Sequence, residues 1–240
     1  MTPAVLDSRR LEAKRARAAR LGDDQFLRQR AFEDCLDRLP FLPGVVSHAL
    51  IVGDPEEGWV DAIKPFAERV DCVPLGELEP EIADLICTVA ALDHSYDPAL
   101  ACFILRQALR PGGRLIGATT GSESLPRMRR AFLDAERATG KAARRFHPML
   151  DPAGLSAMLA NAGFADVVID VDSLRVRYSG MPDLVRDLRA MGCTNSLSGS
   201  VAPLKLAVYR HACELFSAGQ ERIDEGFEIL HFSGVAKNAV

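Results

Sequence analysis

Residues that could take part in chemistry stand directly after two apolar runs of the sequence. Gly53 and Gly58 bound a short loop that follows the first run, and Asp93 and His94 follow the second run at 84–92. Unbroken apolar runs of this length are typical of buried parallel strands. Because ligands bind at the carboxyl ends of such strands, we expect the two loops to form a binding site at one edge of a sheet.

Several common catalytic and metal-binding chemistries have no matching motif in this sequence. It lacks the Gly-x-Ser-x-Gly elbow of serine hydrolases, the His-Glu-x-x-His motif of zinc proteases and the Walker loop of nucleotide hydrolases. The loop from Gly53 to Gly58 also lacks the glycine pattern of nicotinamide-binding proteins. The cysteines are scattered without a Cys-x-x-Cys pair: Cys35, Cys72, Cys87, Cys102, Cys193 and Cys213. We therefore predict reduced core thiols, no metal site and a cytoplasmic protein.

The elements that must position these loops alternate along the chain. Two N-terminal helices are predicted at 4–20 and 24–39, and strands and helices then alternate as in right-handed βαβ units with a parallel sheet. Pro65 is expected to shorten one helix, and Asp97 to cap the next. Strands are predicted at 48–53, 70–73, 84–92, 114–119, 167–178 and 226–234, and the later helices at 58–67, 97–109, 123–139, 152–162, 182–191 and 203–218.

Size and charge limit the domain organisation and the classes of partner. With 240 residues, 48% of them apolar, the chain can bury one main core, and we expect a helical cap over 1–45 and an α/β domain over 46–240. A net charge of −4 argues against nucleic-acid binding, and no apolar run is long enough to span a membrane. The segment at 7–20 carries a local charge of +4, which is typical of a solvated helix or of a docking site for an acidic protein partner.

Two segments carry a resemblance to a known family. The run from Asp84 to Pro98, followed after a helix by Leu109-Arg-Pro-Gly-Gly-Arg-Leu115, resembles the fourth and fifth strands of class I S-adenosylmethionine-dependent methyltransferases. The Pro-Gly-Gly sequence makes the reversal between helix and strand, because glycine tolerates a positive φ.

The C-terminal half is similar to one branch of that superfamily. This branch contains the mitochondrial complex I assembly factor that modifies an arginine and the biotin-pathway malonyl carboxyl methyltransferase. The similar segments are 7–20, 147–151, 162–164, 184–195 and 226–234. The resemblance implies a Rossmann-like, mostly parallel sheet with an antiparallel C-terminal strand.

The sequence departs from the family at the cofactor loop and in the sheet. Family members have a Gly-x-Gly-x-Gly turn after the first strand, whereas this chain has Gly-Asp-Pro-Glu-Glu-Gly, in which Pro55 removes an amide donor and Glu56 and Glu57 add negative charge. Only about ten residues separate the strands at 70–73 and 84–92, which is too few for the helix and strand that family members have there. We therefore expect one αβ unit to be missing. The missing strand is either the second or the third strand of the family.

By resemblance, S-adenosylmethionine is the expected cofactor, with its contacts at Gly53, Asp54, Gly58, Glu77, Ala90, Leu92 and Asp93. Substrate contacts are expected at His94, His147, Arg189 and Asn195, and the substrate is a small molecule or a protein. No catalytic residue is assigned. Two functions stay open: a methyltransferase with weakened or lost cofactor binding, and a non-catalytic interaction or assembly factor on the same fold.

Overall fold

The computed structural model describes residues 6–21, 25–93, 95–140, 143–199 and 202–237. Within these ranges the helices are α1 (Ser8–Leu21), α2 (Phe26–Leu36), α3 (Trp59–Ile63), α4 (Pro98–Ala108), α5 (Pro126–Arg137), α6 (Pro152–Ala162), α7 (Met181–Ala190) and α8 (Leu206–Ser217). The strands are β1 (His48–Val52), β2 (Arg69–Val73), β3 (Ala83–Val89), β4 (Leu109–Thr120), β5 (Phe164–Tyr178) and β6 (Ile223–Ala236).

The described strands form a sheet in the order β2-β1-β3-β4-β6-β5. β1 pairs in parallel with both β2 and β3, and β3 pairs in parallel with β4. β6 runs antiparallel to β4. The predicted Rossmann-like sheet, mostly parallel with an antiparallel C-terminal strand, is therefore confirmed.

The strand order also identifies which strand the chain lacks. In doubly wound sheets of the order 3-2-1-4-5, the second strand lies beside the first and the third lies outside it. Here β2 lies directly beside β1 at the edge of the sheet, so it occupies the position of the second strand. Between β2 and β3 the described chain has only a turn of 3-10 helix at Leu75–Glu77. The deleted unit thus corresponds to the third, outer strand.

Local sequence signals explain several element boundaries. α3 gives way to a 3-10 turn at Lys64–Phe66, which contains Pro65. Asp97 caps α4, because its side chain accepts a hydrogen bond from the Leu100 amide at 3.0 Å. Both predictions are confirmed.

Two of the predicted boundaries that are wrong lie at the turns around α4. The strand expected at 84–92 ends at Val89, because Ala90 turns into a left-handed conformation with φ of +62°. The helix expected to continue through Leu109 ends at Ala108, and β4 starts at once. The Pro-Gly-Gly reversal lies inside this strand as an irregularity in its pairing with β3, with Gly112 at φ of +77°.

The chain divides into two compact units, which are described separately and only over the described residues. The first unit combines Met1–Gln25, Ser122–Met149 and Ser173–Glu228. In it, α5 packs against α8 and α1 packs against α7. The second unit combines Phe26–Gly121, Leu150–Asp172 and Ile229–Val240. The division into a cap over 1–45 and a domain over 46–240 stays a prediction.

The core of the second unit lies between its sheet and the helices α4 and α6. Leu50, Ile86 and Leu115 project from three adjacent strands toward Leu105 and Leu159, and all five are fully buried. Gly117 allows β4 to pass close to β3, since a Cβ at this position would lie 2.6 Å from the Thr88 carbonyl oxygen. This packing fixes the carboxyl ends of β1, β3 and β4, where the expected ligand loops begin.

Candidate functional site

The loops after β1 and β3 meet at the carboxyl edge of the sheet. Gly53 has φ of +116°, a conformation that favours glycine. A Cβ on Gly53 would lie 3.6 Å from the Ala91 Cβ, so the two loops are in near contact. The Gly53 amide also donates to the Val73 carbonyl at 3.3 Å, which ties the end of β1 to the end of β2. The edge is therefore built from three strand ends held close together.

The altered segment of the cofactor loop is bound to the helix α2. Arg28 of α2 forms an ion pair with Glu56 and donates a hydrogen bond to the Asp54 carbonyl oxygen. The Arg28 guanidinium offsets the Glu56 charge within the turn, so the loop is less negative than its sequence predicts. Glu57 and Gly58 are exposed, and Gly58, at φ of +86°, starts α3.

Trp59 anchors the end of the loop. Its indole is buried and stacks on Phe32 of α2, with ring centroids 4.1 Å apart and planes at 5°. Its Nε1 donates to Gln29 Oε1 at 3.0 Å, and the Arg28 guanidinium lies 5.5 Å from the ring centroid. Arg28, Gln29 and Phe32 were missed by sequence reasoning, and their one signal is the helical spacing that places Arg28 and Phe32 on one face of α2.

Asp93 is the most unusual charged group of this edge. The residue is half-buried, yet its Oδ2 is buried and has no hydrogen-bond partner among the described residues. Its Oδ1 accepts from the Thr120 amide at 2.9 Å. Burial raises the pKa of the Asp93 carboxyl, and hydrogen bonding by the Thr120 amide and by the side chains of Thr120 and Thr119 only partly opposes that shift. A buried carboxylate oxygen without a donor is costly, so this one can accept a hydrogen bond from a ligand.

The remaining cofactor candidates differ in their surroundings. Ala90 lies where the chain leaves β3, and its left-handed φ is costly for a residue with a Cβ. Leu92 is buried in the core beside α4, so its side chain packs there. Glu77 is exposed on the 3-10 turn after β2. His94 lies outside the described residues.

The other substrate candidates belong to the first unit, where two of them fasten neighbouring segments of backbone. His147 Nε2 accepts from the Ser196 amide at 2.7 Å, and burial together with the charge of Lys14 lowers the pKa of this imidazole. Asn195 Nδ2 donates to the Arg144 and Arg145 carbonyl oxygens at 3.0 and 3.1 Å.

Arg189, the third substrate candidate in this unit, is exposed on α7. The structure thus brings His147 and Asn195 together around one loop. Their side-chain contacts are with the backbone.

The fold and the sequence relatives define the class of protein. A candidate methyltransferase of known structure from Bacillus halodurans superposes on 85% of this chain and 99% of its own, with a TM-score of 0.53 and 13% identity. No family model matches the sequence. The chain therefore has the fold of the class I methyltransferases, as its strand order and its Pro-Gly-Gly segment indicate.

Within this class, the relatives in sequence belong to two named groups. The malonyl-[acyl-carrier protein] O-methyltransferase 1 of Coxiella burnetii is 32% identical over 132 residues, which cover 55% of this chain and 40% of that protein. The mitochondrial arginine hydroxylase NDUFAF5 of Danio rerio is 28% identical over 159 residues, or 63% of this chain and 49% of that one. The chain matches about half or less of the length of these relatives. The predicted branch of the superfamily is confirmed.

The residues at the carboxyl edge fit S-adenosylmethionine in part. Asp93 offers a buried acceptor to a cationic group, and Gly53 keeps the backbone accessible. Pro55, in contrast, removes an amide donor from the loop, and the outer strand is missing. In the described residues, no helix is both long and apolar enough to cross a membrane.

Proposed function

We propose that this chain binds S-adenosylmethionine at the carboxyl edge of β1 and β3, with an affinity lowered by its altered loop, and acts as a methyltransferase. The observation that carries the proposal is the buried Asp93 Oδ2, which has no well-aligned donor among the described residues although the Thr119 and Thr120 side chains lie near the carboxyl. A scaffold without a ligand gains nothing from such an atom, because an unpaired buried acceptor destabilises the fold. A ligand that carries an ammonium group would satisfy it.

Two further features support a ligand at this edge. Ala90 holds a strained backbone conformation directly after β3, and such strain concentrates at functional sites. Gly53 contacts the same turn without a Cβ between them. When bound, the cofactor would supply a methyl group on a cationic sulfur; the residues that would hold it are Gly53, Ala90 and Asp93.

The lowered affinity follows from what the loop has lost. A proline in place of a glycine removes one amide that could donate to the cofactor carboxylate. The missing third strand removes a wall on the adenosine side, and the exposed Glu77 lies on the turn that replaces it. Catalysis in this superfamily rests on proximity and in-line orientation, so a loosely held cofactor would also lower the rate.

A non-catalytic interaction or assembly role is the second candidate, and one observation favours it. Arg28 and Trp59 fasten the cofactor loop to α2, through the Glu56 ion pair and the Phe32 stack. A loop held in this way suits a protein that has kept the fold without the chemistry. In this role the basic helix α1 would dock an acidic protein partner, and exchanging the exposed Arg17 and Arg20 for glutamate would abolish a salt-sensitive interaction.

Calorimetry with S-adenosylmethionine and S-adenosylhomocysteine tests the proposal. The folded wild type should bind both with micromolar dissociation constants, and Asp93→Asn should bind at least tenfold more weakly. Asp97→Asn is the matched control, since it removes the same charge from an exposed helix cap and asparagine caps equally well. No binding by the folded wild type would reject the methyltransferase and favour the interaction role.

A further inference from the structure

An open groove in the second unit is lined by residues that are not among the cofactor candidates. It has a volume of about 440 Å³ and is formed by side chains of α2, the turn after it, β5 and β6. We call it the acidic groove, because four aspartates line it against two arginines. Its lining residues are Arg30, Asp34, Asp37, Arg38, Phe41, Asp170, Val171, Asp172 and His231.

Three of these side chains have the donor atoms and the spacing of a metal site. Asp34 of α2, Asp172 of β5 and His231 of β6 each place one oxygen or nitrogen atom within 4.8 Å of the other two. Two ligands about 2.1 Å from a shared ion at a tetrahedral angle lie about 3.4 Å apart. His231 Nε2 lies 3.3 Å from Asp34 Oδ2. Small side-chain rotations therefore suffice to bring all three onto one ion.

The surroundings of the His231 imidazole suggest that this side chain could bind a ligand in the groove. The side chain is 3% exposed, and neither ring nitrogen makes a well-aligned hydrogen bond among the described residues. Its polar neighbours are Asp34 Oδ2 at 3.3 Å and the buried Cys35 thiol, which interacts with the ring. A buried imidazole without an aligned hydrogen bond is costly, and metal coordination through one nitrogen is a common solution.

The charges of the groove favour a cation but also supply a competitor. Arg30 donates to Asp172 Oδ2 from Nε at 3.1 Å and from Nη2 at 3.0 Å. Arg38 is paired with Asp170 at 2.5 Å, away from the three donor atoms. A divalent ion would therefore share Asp172 with Arg30 or displace it, and Arg30 is half exposed and able to move aside.

We propose that Asp34, Asp172 and His231 bind a divalent first-row transition-metal ion, with water completing the coordination from the open side of the groove. Two carboxylates and one imidazole suit zinc, cobalt, iron(II) or manganese better than magnesium or calcium, which prefer oxygen ligands alone. No sequence motif marks this site, and metal binding here would contradict the prediction of no metal. The three proposed ligands are distinct from the residues proposed to hold the cofactor.

Calorimetric titration of the full chain with zinc chloride, after removal of metals by chelator, tests the site. The wild type should bind one equivalent, and Asp34→Asn should weaken binding at least tenfold. Asp37→Asn is the matched control, because it removes the same charge from the same groove, in the turn directly after α2, without removing a ligand. It should change the affinity less than threefold. Arg30→Gln should tighten binding, because it removes the competing cation.

Cobalt binding followed by absorption spectroscopy identifies the donor atoms. The site would be supported by cobalt absorption bands typical of oxygen and nitrogen ligands, if the intensity of these bands falls in both Asp172→Asn and Asp34→Asn. A sulfur-to-cobalt charge-transfer band would place the ion on cysteine and overturn the proposal. Equal affinities of Asp34→Asn and Asp37→Asn, or no zinc binding by the wild type, would overturn it as well.

Discussion

Replacing Asp93 by asparagine should stabilise the protein at neutral pH. The wild-type carboxylate is buried, and its Oδ2 lacks a well-aligned hydrogen bond, which costs about 1–3 kcal/mol. Asparagine keeps an oxygen for the Thr120 amide and removes the charge, but its own amide nitrogen finds no new acceptor. We therefore expect a net gain of about 1 kcal/mol, which corresponds to a rise in Tm of about 2–4 °C for a chain of this size.

The pH dependence of this gain follows from the sign of the pKa shift. Burial raises the pKa of Asp93 in the folded protein above the ordinary aspartate value. Between these two values the folded state binds more protons than the unfolded state, so wild-type stability falls as the pH rises through that window. The gain from Asp93→Asn should vanish below the ordinary aspartate pKa and reach its full value above the raised one.

Thermal and urea unfolding across this pH range measures the effect, with Asp97→Asn as the control. At neutral pH the control should change the stability by less than about 0.5 kcal/mol, because asparagine caps a helix about as well as aspartate. If Asp93→Asn destabilises the protein at neutral pH, the Asp93 carboxylate is well satisfied in the folded state. The cost assigned to its unpaired oxygen would then be wrong, and with it the main support for a ligand at this edge.

Three further substitutions test the packing around the sites by urea unfolding. Glu225→Ala should cost about 2–3 kcal/mol, because this buried carboxylate accepts from the Arg127 and Met128 amides in the first turn of α5 and from the adjacent Gly226 amide. An unchanged stability would contradict that capping role. Gly117→Ala should cost more than about 3 kcal/mol, since its Cβ would lie 2.4 Å from the Phe232 ring and 2.6 Å from the Thr88 carbonyl oxygen. A loss under about 1 kcal/mol would show that both the ring and the neighbouring strand can shift. Arg145→Ala should cost about 3–5 kcal/mol by leaving Glu136 buried without its partner, and Arg145→Lys should restore only part of this.

The order of elements could be predicted from sequence because local signals agree with the fold. Apolar runs predict β1 and β3, Asp97 predicts the start of α4, and Pro65 predicts the early end of α3. The predicted end of β3 was wrong because Ala90 is apolar and extends the apolar run of the strand. Alanine rarely adopts a left-handed conformation, so the residue type does not predict the turn at this position.

Contacts between distant residues could not be predicted. Asp34, Asp172 and His231 come from three elements far apart in sequence, and no spacing rule connects them. The same holds for Arg28 of α2 and Glu56 of the cofactor loop, whose ion pair changes the charge that the loop presents. The sequence alone predicts which side chains could take part in chemistry. Which of them lie close together in space depends on the fold.

The structure of the complex with S-adenosylhomocysteine tests the central claim most directly. The account predicts the ligand at the carboxyl edge of β1 and β3, with its ammonium group within hydrogen-bond distance of Asp93 Oδ2. The loop at 54–58 should stay bound to Arg28. A ligand bound elsewhere, or an Asp93 Oδ2 that stays unpaired in the complex, would contradict the account.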